Sequence, residues 1–115
     1  MTAMSQKSAV REISPEEVYA AIERGDAVRL VDVRQPWEYE SHRIEGALLL
    51  PLGDLPRRAS ELDPAERLIC ICEHGVRSRH AADFLAAQGF SNVATMTGGM
   101  AQYPGPVETG PGEAS

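Results

Sequence analysis

Two short runs, residues 28–33 and 67–71, limit the fold more than any other feature of the chain. Each is rich in Val, Leu and Ile and carries apolar residues at neighbouring positions. A half-exposed strand would alternate apolar and polar residues, so neighbouring apolar residues require cover on both faces of a sheet. Leu68, Ile69 and Ile71 show this most clearly. Two further apolar runs read as strands: residues 47–50, ended by Pro51, and residues 93–96.

Helical segments separate these strands. Ser14-Pro15-Glu16-Glu17 is a helix start. Ser14 can cap free amides, Pro15 suits the first helical position, and Glu17 completes a capping box. Val18, Ala21 and Ile22 then share one face, and Gly25 stops the helix. Gln35-Pro36-Trp37 turns the chain into a short helical stretch through Ser41. Residues 55–62 read as a helix with Arg57 and Arg58 on a solvated face. Residues 78–88 read as a helix of small and apolar residues closed by Gly89. Strands alternating with helices define an α/β domain with a mainly parallel sheet. Such sheets bind ligands at the C-terminal ends of their strands. That rule points to residues 32–34 and 72–77.

The chain has 115 residues, enough for one core without disulfides or metals. The first ordered element starts near Val10, so the domain is expected to span residues 9–104. Residues 105–115, rich in Gly, Pro and Glu, are expected to be disordered. A net charge of -6 argues against a nucleic-acid module, whose footprint is basic. No apolar run reaches membrane-spanning length, and residues 1–8 lack the apolar stretch of a signal peptide. The expected location is cytoplasmic, with no nucleic-acid or membrane partner. Cys70 and Cys72, the only two cysteines, are too few for a disulfide scaffold. No second ligand cluster accompanies them, so no metal site is expected.

The chemistry concentrates in Cys72-Glu73-His74-Gly75-Val76-Arg77-Ser78. A cysteine ends a buried strand, and a glycine-containing loop leads into a helix. Loop amides and a helix N-terminus can then converge on one centre and favour a thiolate. Gly75 permits a tight backbone curl. Arg77 adds a permanent positive charge. From this heptapeptide alone two readings stand: a sulfur nucleophile, or a buried cysteine that only packs. Cys70, between Ile69 and Ile71, reads as packing.

Three blocks together resemble the rhodanese family, over roughly residues 13–103. The first is Leu30-Val31-Asp32-Val33-Arg34, followed by Glu38-Tyr39 and Arg43-Ile44-Glu45-Gly46-Ala47. The second is the loop from Cys72 to Ser78. The third is Gly89-Phe90-Ser91-Asn92-Val93, followed by Met96-Thr97-Gly98-Gly99-Met100. The resemblance implies a three-layer α/β/α fold with a five-stranded, mainly parallel sheet. It implies a sulfurtransferase in which Cys72 accepts sulfane sulfur and passes it to a thiophilic acceptor, without metal or cofactor. The expected partners are a small-molecule sulfur donor and acceptor, or a persulfide-bearing protein. A carrier or regulatory module in a sulfur-trafficking pathway is the alternative. Residues matching the family's substrate loop are Glu73, His74, Gly75, Val76 and Arg77. Asp32, Arg34, Glu38 and Ser78 are the expected supporting residues.

Other readings follow from individual residues. Asp32 is expected to accept backbone amides and hold its turn. Arg34 is expected to pair with Glu38 or another carboxylate. His74 reads as an exposed loop histidine, and Trp37 and Tyr39 as packed aromatics. Glu73 follows the nucleophile directly, so repulsion is expected to make doubly charged thiosulfate a poor donor. Four residues separate Cys72 from Arg77, whereas phosphatase relatives on this fold have five. The shorter cradle suits a single sulfur atom and argues against phosphoryl chemistry.

Overall fold

The computed structural model describes residues 10–111. Strand β1 (Val10–Ile13) is followed by helix α1 (Pro15–Arg24), β2 (Arg29–Asp32), α2 (Pro36–Ser41) and the two-residue β3 (Leu48–Leu49). A short helix α3 (Leu55–Arg58), flanked by 3-10 turns, leads to β4 (Leu68–Ile71), α4 (Val76–Ala87) and β5 (Val93–Met96). A last 3-10 turn spans Met100–Gln102. The α1 start is the capping box read from the sequence: Glu17 N donates to Ser14 Oγ at 3.0 Å and Ser14 N to Glu17 Oε1 at 2.9 Å.

The five strands form one sheet in the order β1-β5-β4-β2-β3, and every pairing is parallel. Two apolar clusters cover its faces. Val31, Val33, Cys70, Cys72 and Val93 pack with Ala81, Ala82 and Leu85 of α4. Leu30, Ile69, Ile71 and Met96 pack on the other face with Val18 of α1 and Ile44. The α/β/α layering and the five-stranded parallel sheet are therefore as expected. Period-2 alternation puts Cys70 and Cys72 on the α4 face, together with Thr95, which lies opposite Cys70 in the register.

Three expectations are corrected. Helix α4 begins at Val76, inside the predicted loop, because Gly75 (φ 98°) supplies a left-handed N-cap. Residues 55–62 form an α-turn (Leu55–Arg58) followed by a 3-10 turn (Ala59–Glu61) rather than a continuous helix. Residues 105–111 of the expected disordered tail lie against the domain. Arg43 and Glu108 exchange backbone hydrogen bonds at 2.9 and 2.8 Å. The buried Arg43 guanidinium donates to the carbonyl of Gly110 at 2.7 Å and stacks on Tyr39. Composition signals solubility there, but one buried cation gathers the tail's carbonyls. Ala9 and residues 112–115 lie outside the described residues, so the expected domain start and the end of the tail do too.

Candidate active site

Strand β4 delivers Cys72 to the C-terminal edge of the sheet, and the chain turns at once into α4. The Cys72 side chain is buried. Its Sγ accepts the backbone N–H of Gly75 at 3.1 Å and of Ser78 at 3.2 Å. The Ser78 hydroxyl lies 3.4 Å from the same sulfur. Val76 and Arg77, in the first turn of α4, have backbone amides with no acceptor among the described residues. They are free to meet an anion held above the sulfur. Backbone donors and a helix N-terminus thus surround a buried sulfur, as a thiolate requires.

Cys70 sits behind this cradle, fully buried, and burial pushes its thiol up to about 12. It stays protonated and packs, as its mid-strand position predicts.

Behind the loop, the third sequence block forms the brace. Met100 N donates to Cys72 O at 2.9 Å, and Ala101 N to Glu73 O at 3.0 Å. Gly99 (φ 67°) lies so close beneath the loop that a Cβ there would stand 2.2 Å from Glu73 O. The sequence marks Gly98 and Gly99 as a block but gives no sign that the two segments touch.

The supporting residues are all present, and Arg34 pairs with carboxylates as expected, those of Asp32 and Glu73 rather than Glu38. Arg34 is fully buried and grips Asp32 in a two-pronged bond, Nε to Oδ1 at 2.9 Å and NH2 to Oδ2 at 2.8 Å. It also donates to His42 O at 2.7 Å and to Glu73 Oε1 at 3.2 Å. Burial opposes its charge, yet Asp32 holds the guanidinium above its usual range. Asp32 additionally accepts the Arg34 backbone N–H at 3.1 Å, so it holds the turn as expected. Glu38 pairs instead with Arg77, at 2.7 and 2.8 Å. The Arg77 hydrogen bonds bring the Glu38 carboxyl down to about 2. Arg77 is therefore a strut between α4 and α2 as well as a cation beside the loop.

Glu73 does not stand alone at the mouth. Its carboxylate faces Arg34, and His42 Nε2 is 3.7 Å away. The electrostatic argument for poor use of thiosulfate is tempered accordingly, because Arg34, which Glu73 shares with Asp32, offsets part of the charge. His74 is exposed, as expected. Tyr39 packs, its hydroxyl bonded to Ala47 O at 2.6 Å, but Trp37 is 71% exposed, against expectation. The two lie on different sides of α2, and only Tyr39 faces the core. Thr95 was not singled out in the sequence, yet its hydroxyl lies 2.7 Å from that of Ser78. A polar residue inside the otherwise apolar run 93–96 was the available signal. Among the described residues no group of His, Cys, Asp and Glu is arranged to hold a metal ion.

A parallel α/β/α domain with an anion cradle around a strand-end cysteine is one architectural class. Within it, this chain belongs to the rhodanese-like domain family, whose match covers residues 14–104. It is 35% identical to YrkF of Bacillus subtilis, provisionally named a sulfur carrier, over 88% of this chain and 55% of that protein. The chain thus spans about half the length of that relative. It is 37% identical to the thiosulfate sulfurtransferase GlpE of Pseudomonas syringae, over 78% of this chain and 83% of that one. The crystal structure of a rhodanese-like domain protein from Staphylococcus aureus superposes with a TM-score of 0.81 at 26% identity, over 87% of this chain and 98% of that one.

Proposed function

We propose that the chain is a sulfurtransferase that carries sulfane sulfur as a persulfide on Cys72. The observation that carries the reading is the pair of backbone N–H donors, from Gly75 and Ser78, aimed at the Cys72 sulfur. In the first half-reaction the thiolate attacks the outer sulfur of a donor such as thiosulfate or a persulfide. A new S–S bond forms, the donor's S–S bond breaks, and sulfite or a thiolate leaves with the electron pair. In the second, a thiophilic acceptor attacks the outer sulfur and Cys72 leaves as the thiolate. The unpaired Val76 and Arg77 amides suit the anionic outer sulfur between the two steps. Neither step as written calls on a metal or cofactor.

Donor and acceptor are small molecules or a persulfide-bearing protein. Trp37 and Val76, at 71% and 66% exposure, favour the protein partner. Each adjoins a member of the Glu38–Arg77 pair, so apolar surface lies open beside the site. A cytoplasmic, reducing setting fits the two free thiols.

Intact-mass measurement after exposure to thiosulfate and to a persulfide donor tests the assignment. Wild type and Cys70→Ala gain one sulfur atom, and Cys72→Ser gains none. Loading of Cys72→Ser would sink it.

A further inference from the structure

The cradle is closed from behind by two hydroxyls that the sulfur-transfer reading leaves without a task. Ser78 is fully buried in the first turn of α4, and Thr95 is 2% exposed on β5. Both lie on the same face of the sheet as Cys72. Ser78 Oγ is 3.4 Å from Cys72 Sγ and 2.7 Å from Thr95 Oγ1.

Each hydroxyl has one proton to place. Among the described residues, Ser78 Oγ is the only acceptor in reach of the Thr95 hydroxyl. A buried hydroxyl proton without an acceptor is costly, so Thr95 donates to Ser78. The Ser78 proton is then directed at the Cys72 sulfur. With Cys72 as the thiolate, whose sulfur has no proton to give to Ser78 Oγ, the order of donation is Thr95 to Ser78 to Cys72, and the thiolate gains a third donor beside the Gly75 and Ser78 amides.

We propose that Thr95 is a positioning residue for the nucleophile: it fixes the Ser78 hydroxyl as a donor to sulfur and thereby favours the Cys72 thiolate. The proposal rests on the reading of Cys72 as the nucleophile. A threonine is needed because valine, of equal shape, would pack as well on a strand otherwise composed of Val, Ala and Met. Hydrogen bonds in series also strengthen one another, so the remote hydroxyl is felt at the sulfur.

Other titratable and charged groups stand on the elements packed around the sulfur. They are Cys70 on β4, Glu73 and His74 on the loop, and Arg77, Arg79 and His80 on α4. Asp32 and Arg34 close the end of β2, Glu38 faces the loop from α2, and Glu12 lies on β1. All are retained in the variants below, so a change reports the hydroxyls.

The experiment is the pH profile of iodoacetamide alkylation, with the adduct mapped to Cys72 by peptide mass. Thr95→Val moves the midpoint to higher pH and slows alkylation about fivefold below it, the effect of one net hydrogen bond. The rate on the high-pH plateau does not fall, because a thiolate with one hydrogen bond fewer is at least as nucleophilic. Thr95→Ser restores the wild-type midpoint. Thr95→Ala, which demands no space, moves it in the same direction as Thr95→Val. In a Ser78→Ala background, Thr95→Val adds nothing. An unmoved midpoint in both Thr95→Val and Thr95→Ala, with Ser78→Ala shifted, overturns the proposal. So does a Thr95→Ser profile that matches Thr95→Val. Alkylation requires no sulfur donor, so its outcome is separable from failure of the sulfur-transfer reading, which the mass measurement detects.

Discussion

A single side chain, Glu73, shows how position along a chain misleads about charge. Beside Cys72 in sequence it reads as a repulsive gate. In space its carboxylate lies 3.2 Å from the fully buried Arg34 guanidinium. Arg34 in turn keeps Asp32 as its second counter-charge. Glu73→Gln therefore changes the second-order rate with thiosulfate by less than about threefold, as for a partly exposed charge already paired. Stopped-flow loading at low and moderate salt checks this, and a tenfold gain that salt removes would restore the repulsion argument. The sequence made Cys72 and its loop legible because strand, glycine and helix start are contiguous. It left the partner of Arg34 open because Asp32 and Glu38 both lie within a few residues of it, and only the direction of α2 decides between them.

At the scale of elements, the loop is shaped as much from below as from within. The turn after β5 supplies the Met100 and Ala101 amides to the carbonyls of Cys72 and Glu73. Gly99 lets the two backbones meet. Its φ is positive, and a Cβ at this position would stand only 2.2 Å from Glu73 O, which leaves no room for alanine. Gly99→Ala is expected to cost about 2–4 kcal/mol, the range for strain combined with overpacking. It should also slow Cys72 alkylation more than tenfold at neutral pH by displacing the cradle. Urea unfolding together with alkylation rates measures both, and a variant of wild-type stability and reactivity would contradict the contact. Helices and strands were readable from periodicity and caps, since those are local. A contact between loops more than twenty residues apart in sequence has no local signal.

For the whole molecule, the topology followed from composition of the runs, and the exception was the tail. Its polar composition predicted disorder, whereas Arg43 ties residues 108–111 to the chain between α2 and β3. Helix α2 is thus held on one side by the tail, which reaches Glu40 through Gly110 N at 2.7 Å, and on the other by the Glu38–Arg77 pair. That pair makes the domain acid-sensitive in a defined window. Glu38 has its carboxyl lowered from 4.5 to about 2 in the folded state, first through its Arg77 hydrogen bonds. A carboxyl lowered on folding binds fewer protons in the native state than in the unfolded chain between those values. Its contribution is therefore complete above about pH 4.5 and is lost as pH falls toward about 2. Because Arg77 is partly open to solvent, screening reduces the contribution to about 1–2 kcal/mol. Glu38→Gln keeps the side-chain oxygen that accepts the Gln35 amide but loses the ion pair. At pH 7 it should unfold at lower urea than wild type. The gap between the two midpoints should narrow below about pH 4.5 and nearly vanish toward pH 2. A gap that stays constant from pH 7 down to about 3 would show that the pair does not link α2 to the stability of the fold.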